Sequence, residues 1–391
     1  MEQPEGYVTD KSLVCKLNKS IYGLKQSAYR WHATLTDFMK SQGLRQCEMD
    51  KCIFVKHTKH STLLVLIWVD DLIVAASDAN ILNTFKSNFS KAFQCKELGV
   101  LAWFLGIEFK VSKNVISMNQ SLYVSNILQR FNETNCTPRN VPVDPSVYQL
   151  LEQPSELYSN PTRFRELVGS LIYLMTGTRP DIAFIVTLLS RFMNHPTKMQ
   201  MIIARGVLKY LKGTMHYDLK YTRSEEGLRI CAHSDSDWGS ANDYHSISGY
   251  TFKLNKYSAL ISWCSERQSL IATSSCESEY LAIHATTREA LFIRLLFAEI
   301  TGTPPQTVII LADNQGAITL TKHSTYHKKT KHIDLKYHAT RKYVANKSIA
   351  IFYIPSKENL ADMATKPIKG PNLKRFSSIR GIVPMHLKRS A

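Results

Sequence analysis

The chain has 391 residues, 44% of them hydrophobic and 21% charged, and a formal net charge of +17. That is enough chain for two or three cores, in the proportions of an ordinary globular protein. No apolar run approaches the roughly 20 residues of a membrane-spanning helix, and the positive excess calls for a polyanionic partner, nucleic acid first.

The opening Met1-Glu-Gln-Pro-Glu-Gly6 is acidic and polar, which is not the pattern of a signal peptide. The 8 cysteines include no Cys-X-X-Cys. They are expected to be buried thiols of a reducing compartment, cytoplasm or nucleus, and not a disulfide framework or zinc site. Trp31, Leu35 and Phe38 recur at helical spacing within Gln26–Ser41. Leu63 to Ala76 then reads as two aliphatic strands with Asp70-Asp71 between them. An unpaired buried charge costs several kcal/mol, so the pair is either a metal site at a hairpin tip or an exposed Asp-Asp turn. The pattern alone leaves both open.

A strand is expected from residue 110, then a short helix Leu122–Phe131 and a Pro-containing loop from Thr137. Residues 161–213 look all-helical. Asn160-Pro161 supplies a cap and a first-turn proline, Arg179-Pro-Asp starts a second helix, and Met199–Leu211 forms a third that ends at Gly213. Beyond residue 223 the pattern becomes three strands, helix, strand, helix, strand, helix. The strands are Arg229–Asp235, Gly249–Leu254, Ala259–Cys264, Val308–Asp313 and Ile349–Ile354, and Ser274 opens a long helix. That order suits a mixed sheet with helices packed on its faces. Asp235, Glu279, Asp313 and Asp362 fall at element ends, where an aliphatic run leading into a carboxylate is costly unless the charge is compensated. Asp237 and Glu277 are the neighbouring alternatives for the first two positions.

Trp68-Val-Asp-Asp71 resembles the Tyr-X-Asp-Asp signature of reverse transcriptases. Lys16-Leu-Asn-Lys-Ser-Ile-Tyr-Gly-Leu-Lys-Gln-Ser27, Trp31, Lys96-Glu-Leu-Gly99 and Phe104-Leu-Gly-Ile-Glu-Phe109 resemble one branch in particular, the Copia-type LTR retrotransposon Pol polyproteins. Ser234-Asp-Ser-Asp-Trp238, Ser248-Gly-Tyr250, Glu277-Ser-Glu-Tyr280, Ala312-Asp-Asn-Gln315, Thr330-Lys-His-Ile-Asp334 and Leu360-Ala-Asp-Met-Ala-Thr-Lys-Pro367 are similar to the RNase H domain of those elements.

The resemblance implies an α+β chain. A reverse-transcriptase palm fragment would span 1–110, a helical thumb and connection 111–222, an RNase H-like mixed β-sheet with flanking helices 223–368, and a loosely ordered basic tail 369–391. It places Asp70 and Asp71 at a polymerase metal site, Trp68 where the family usually has Tyr near the primer end, and Lys16, Lys19, Lys25 and Arg30 at phosphates. It also implies a further polymerase Asp upstream of the segment matching residues 1–6. Neither Asp10 nor Asp50 sits in an apolar strand, so this chain alone is not expected to polymerise DNA.

The same resemblance implies that Asp235, Glu279, Asp313 and Asp362 hold two Mg²⁺ ions, with Mn²⁺ as a substitute. The ions would serve hydrolysis of the RNA strand of an RNA–DNA hybrid. The rival expectation is a non-catalytic nucleic-acid-binding relic. His323, His327, His332 and His338 partly suit zinc spacing, but no Cys pair joins them, and lysines such as Lys331 surround them. Contact of Lys331 and His332 with nucleic acid is the expectation. Pro355-Ser-Lys-Glu-Asn359 lacks the His that many cellular RNases H carry before the last Asp, and His332 is the candidate substitute. Asp334 is expected to cap or start a helix Leu335–Ala345.

Overall fold

The computed structural model describes residues 1–225, 227–239, 244–255, 258–322, 331–371, 373 and 382–384; the side chains of 331–337, 383 and 384 lie outside the description. The chain divides into two compact units, one of Met1–Glu97 with Leu295–Pro305, the other of Leu98–Arg294 with Gln306–Ala391.

The first unit is built on a four-stranded antiparallel meander, Arg45–Gln46, Ile53–His57, Thr62–Trp68 and Asp71–Ala76 in that order. Leu63, Val65 and Ile67 point to one face of the meander, as the two-residue period of a strand requires. There they meet Leu35 and Met39 of the helix Ser27–Ser41, and Phe85 and Phe89 of the helix Ala79–Ala92. The second helix starts where Asp78 accepts hydrogen bonds from the Asn80 and Ile81 amides. On the other face of the meander, Cys47, Ile53 and Val55 pack with Leu64, Leu66, Leu296 and Ile300.

The second unit holds two five-stranded sheets. One is antiparallel: Ile382–Pro384, Tyr217–Thr222, Val115–Asn119, Ile107–Val111 and Trp103–Phe104. The other is mixed, in the order Leu260–Arg267, Ile247–Lys253, Cys231–Asp237, Val308–Ala312, Ile349–Tyr353. Its first three strands are antiparallel, and the last two run parallel to Cys231–Asp237 and to each other. This is the mixed sheet expected from the element order, and the whole is α+β.

The helices expected over 161–213 are Pro161–Gly177, Ala183–Ser190 and Lys198–Gly213. Asn160 caps the first, accepting from the Arg163 amide, and Thr197 and Gln200 close a capping box on the third. Their buried faces share one core with Ile247, Leu360, Met363 and Leu373 around the mixed sheet. Two side chains tie the helices to the outermost strand: Thr187 donates to the Ser265 carbonyl at 3.0 Å, and Trp263 to the Met175 carbonyl at 2.9 Å. Beneath this core, Arg179 is 2% exposed and forks onto both oxygens of Asp181 at 2.9 and 2.7 Å. Tyr210 and Thr214 complete the cluster.

Four expectations need correction. The strand Cys231–Asp237 continues two residues past Asp235 because both pair with Ile247–Lys253, so Asp235 does not terminate it. The helix near 335 begins earlier, at Lys331, so Asp334 lies inside it and neither caps nor starts it. The basic tail is not uniformly loose: Leu373 is buried in the core, and Ile382–Pro384 pairs with Tyr217–Thr222 because a buried Ile382 gives that edge an apolar anchor. The cysteines are free, but Cys47 alone is buried, Cys95 is exposed and the rest are intermediate. Thiols are small enough to sit at the rim of a core as readily as inside it.

Candidate active site

Two neighbouring parallel strands set the site. Ile309, Ile310 and Leu311 stand beside Cys231, Ala232 and His233, so two residues further on Asp235 and Asp313 emerge side by side. The carboxyl ends of parallel strands are where open sheets of this kind place ligands. The third acid comes from the helix Ser275–Thr301, which brings Glu279, 7% exposed, across the same end of the sheet. Ligand oxygens of Asp235, Glu279 and Asp313 all lie within 4.8 Å of one another.

The choice between Glu277 and Glu279 follows from the helix start. Ser274 Oγ accepts from the Glu277 amide at 3.2 Å, and the Glu277 carboxylate accepts from the Thr273 amide and hydroxyl at 2.7 and 2.6 Å. That is a capping arrangement, and it occupies Glu277 outside the cluster. Asp237, on the same face as Asp235, is not part of the three-acid group.

Asp362 arrives by a different route. The four-residue helix Asp362–Thr365 lies against the strand Ile247–Lys253 at Gly249, the register partner of Asp235. A Cβ at Gly249 would sit 2.6 Å from Thr365 Cγ2 and 2.9 Å from Ala364 Cβ. The glycine of Ser248-Gly-Tyr250 is therefore what lets this helix approach. Asn359 holds the approach in place, its amide donating to the Ser234 carbonyl at 2.9 Å. With the helix seated, the Thr365 hydroxyl donates to Asp235 Oδ2. Lys366 Nζ stands 3.0 Å from Asp362 Oδ1 and 3.7 Å from Asp235 Oδ2.

So many acids in a dry place raise one another. Burial, with the neighbouring Asp362 and Asp313 carboxylates, pushes Asp235 up to about 7, although Lys366 and the Thr365 hydroxyl pull the other way. Glu279 is pushed up to about 9 by burial and then by Asp235 and Asp313. Burial also raises Asp362. Burial works against the Lys366 ammonium, but Asp235 and Asp362 outweigh it and hold the amine above the ordinary lysine value. A divalent cation reverses this balance by favouring the ionised acids. The donor set fits one: the oxygens are hard, and Glu279 Oε2 and Asp313 Oδ1 are buried with no hydrogen-bond partner.

A buried polar layer lies behind the acids. Gln268 Nε2 donates to Ser248 Oγ at 2.9 Å and to the Ser278 carbonyl at 2.9 Å, and reaches Ser236 Oγ at 3.2 Å. Ser236 and Ser278 are the chain neighbours of Asp235 and Glu279, so one amide ties both acid-bearing elements together. Sequence reasoning missed Gln268, Asn359, Thr365 and Lys366 as parts of the site. Only Lys366 left a signal, its spacing of four from Asp362.

Asp70 and Asp71 do not share this environment. Both are exposed at the hairpin tip, so the argument from buried charge does not hold for them, and the exposed-turn alternative describes their surroundings. Val69 turns the chain at φ +53°, unusual for a β-branched residue. The Trp31 indole donates to its carbonyl at 2.7 Å. Among the described residues the Asp235 group is the only cluster of three or more potential ligands, so no third acid joins the pair. Trp68 is 53% exposed, and Lys16 and Lys25 are exposed. His338 is exposed, while His323, His327 and the side chains of Lys331 and His332 lie outside the described residues.

Residues 1–145 match the reverse transcriptase (RNA-dependent DNA polymerase) family. With the RNase H-like sheet and its acids, that defines a reverse-transcriptase-type chain of retroelement origin. It is 33% identical over 399 residues to the Retrovirus-related Pol polyprotein from transposon TNT 1-94 of Nicotiana tabacum, covering 99% of this chain and 29% of that one. It is 30% identical over 294 residues to a Putative transposon Ty5-1 protein of Saccharomyces cerevisiae, covering 74% of this chain and 94% of the relative. The foamy viral protease-reverse transcriptase, solved in complex with dsDNA, shares 11% identity at a TM-score of 0.45, over 86% of this chain and 60% of that one. The chain belongs to the Copia-type LTR retrotransposon Pol polyprotein family. It spans less than a third of the length of the full Pol polyproteins it matches.

Proposed function

We propose that residues 223–368 act as an RNase H-type endonuclease that cleaves the RNA strand of RNA–DNA hybrids by two-metal hydrolysis. The observation that carries this reading is the convergence of Asp235, Glu279 and Asp313 within 4.8 Å, with Asp362 beside them. Asp235 is the shared residue. It belongs to the three-acid group on one side and to the edge with Asp362 on the other.

Bound Mg²⁺ would supply water activation and charge stabilisation at the leaving 3′ oxygen. The chain's own part is to hold four carboxylates aligned on two neighbouring strands, one long helix and one short one, where a bound cation would favour their ionised forms. Thr365 and Gln268 fix those elements, and burial keeps competing water away. The basic surface steers the polyanion to the site and makes binding salt-dependent. The reverse transcriptase region is proposed not to polymerise DNA with these residues alone, because Asp70 and Asp71 gain no third carboxylate among the described residues.

The test is purified chain with a strand-labelled RNA–DNA hybrid in Mg²⁺ or Mn²⁺. The expected result is cleavage of the RNA strand that disappears in Asp235→Asn combined with Asp313→Asn. Tight binding of the hybrid with no cleavage in either metal favours the non-catalytic relic. Cleavage that survives both substitutions removes this site from the chemistry.

A further inference from the structure

The acid cluster is not evenly compensated. On the side of Glu279 and Asp313, two buried oxygens have no hydrogen-bond partner. On the side of Asp362, Oδ1 likewise makes no hydrogen bond, but there a lysine of the same short segment stands as an ion-pair partner to two of the acids, at 3.0 and 3.7 Å. Its stem follows directly on Thr365, which donates to the same Asp235 oxygen that Lys366 faces. One edge of the cluster is therefore open to a cation, and the other already has one.

We propose that the Lys366 ammonium is the resident counter-ion of the Asp235–Asp362 edge, and that a metal ion enters this edge only by displacing it. The proposal rests on the metal-site reading above. Two positive charges cannot share an edge of this size, since a divalent ion and an ammonium a few Å apart repel each other where both are partly desolvated. The amine can leave, because the Lys366 side chain is 39% exposed and a lysine carries its charge on a flexible four-carbon stem. Asp235 lies at 2% side-chain exposure and is pinned by Thr365, so the acid stays while the base moves. The two halves of the site then load in order. The Asp235–Glu279–Asp313 group fills first, and the Asp362 edge fills at higher metal concentration. The lysine stabilises the metal-free state and sets the metal level at which the site becomes complete.

Two measurements on the full chain test this. In the first, the wild-type chain is treated with an amine-acetylating reagent with and without Mg²⁺, and Lys366 modification is read by mass spectrometry. Displacement predicts at least a threefold faster modification of Lys366 in saturating Mg²⁺, with exposed lysines such as Lys16 unchanged. In the second, Mn²⁺ binding is followed by equilibrium titration for wild type, Lys366→Met and Lys366→Gln. The expected result is a second equivalent bound at least tenfold more tightly in both variants, with the first within about threefold of wild type. Unchanged Lys366 reactivity, or a second equivalent of equal or weaker affinity in the variants, overturns the displacement and leaves the nuclease reading standing. Failure of the wild type to bind Mn²⁺ at all overturns both.

Discussion

Replacing Asp235 with Asn should make the metal-free protein more stable, although Asp235 is one of the most buried polar residues in the chain. In the folded state Asp235 ionises at about 7, against an ordinary value of 3.8 once the chain is unfolded. The folded state therefore holds that proton more tightly than the unfolded one. The sign of the linkage follows: stability is greatest below pH 4, falls as the unfolded carboxyl ionises, and levels off once the folded one has ionised near 7. At about 1.4 kcal/mol per pH unit, the difference costs the folded state about 4 kcal/mol by pH 8. Glu279, pushed up to about 9, carries the fall further in the same direction. In a folding unit of this size each kcal/mol moves the melting temperature by about 2 °C.

Asparagine keeps the shape and removes the charge, so Asp235→Asn should melt about 8 °C above wild type at pH 8 in EDTA, and level with it at pH 4. Saturating Mg²⁺ at 100 times its dissociation constant contributes about 2.7 kcal/mol. Wild type should therefore recover about 5 °C and the variant almost nothing. Differential scanning fluorimetry across pH 4–9, with EDTA or Mg²⁺, reads both effects. A variant that melts below wild type at pH 8 in EDTA, or that gains as much from Mg²⁺, would refute the reasoning about charge crowding.

Three further expectations follow from the same packing. Gly249→Ala forces a Cβ to within 2.6 Å of Thr365 Cγ2 and should cost about 1–3 kcal/mol together with Mg²⁺ affinity; a urea titration showing no loss would mean that the short helix yields freely. Arg179→Met leaves the buried Asp181 carboxylate without its fork and should cost about 3–5 kcal/mol, read as a lower urea midpoint with nuclease activity per folded molecule unchanged. Glu279→Gln should remove metal binding, whereas Glu277→Gln should lower stability by about 1 kcal/mol through the lost cap; metal titrations that rank the two the other way would exchange their roles.

Much of this architecture is legible in the chain. The aliphatic run that ends in Asp313 announces a strand end, Asn160-Pro161 announces a helix, and the unbroken aliphatic run from Leu63 to Ile67 announces a buried strand. Local signals of that kind survive folding because they encode backbone preferences. What the chain hides are groups that act through a register. Gly249 looks like any strand glycine until Asp235 is placed opposite it and Thr365 above it. Lys366 reads as one more basic residue in a chain with 49 lysines and arginines. Asp70-Asp71 left two surroundings open: apolar runs flank the carboxylates in sequence, and only the hairpin geometry shows that both side chains are exposed. The strand Tyr217–Thr222 and its partner Ile382–Pro384 are separated by most of the second unit, and no local pattern couples them.

The central claim is that distant acids of residues 223–368 form one cage for divalent cations. Anomalous diffraction from crystals grown in Mn²⁺ addresses it without reference to turnover. The account predicts a peak bounded by Asp235, Glu279 and Asp313, and at higher Mn²⁺ a second between Asp235 and Asp362 with Lys366 turned away. Manganese found elsewhere, with the four carboxylates empty at saturating concentration, would contradict it.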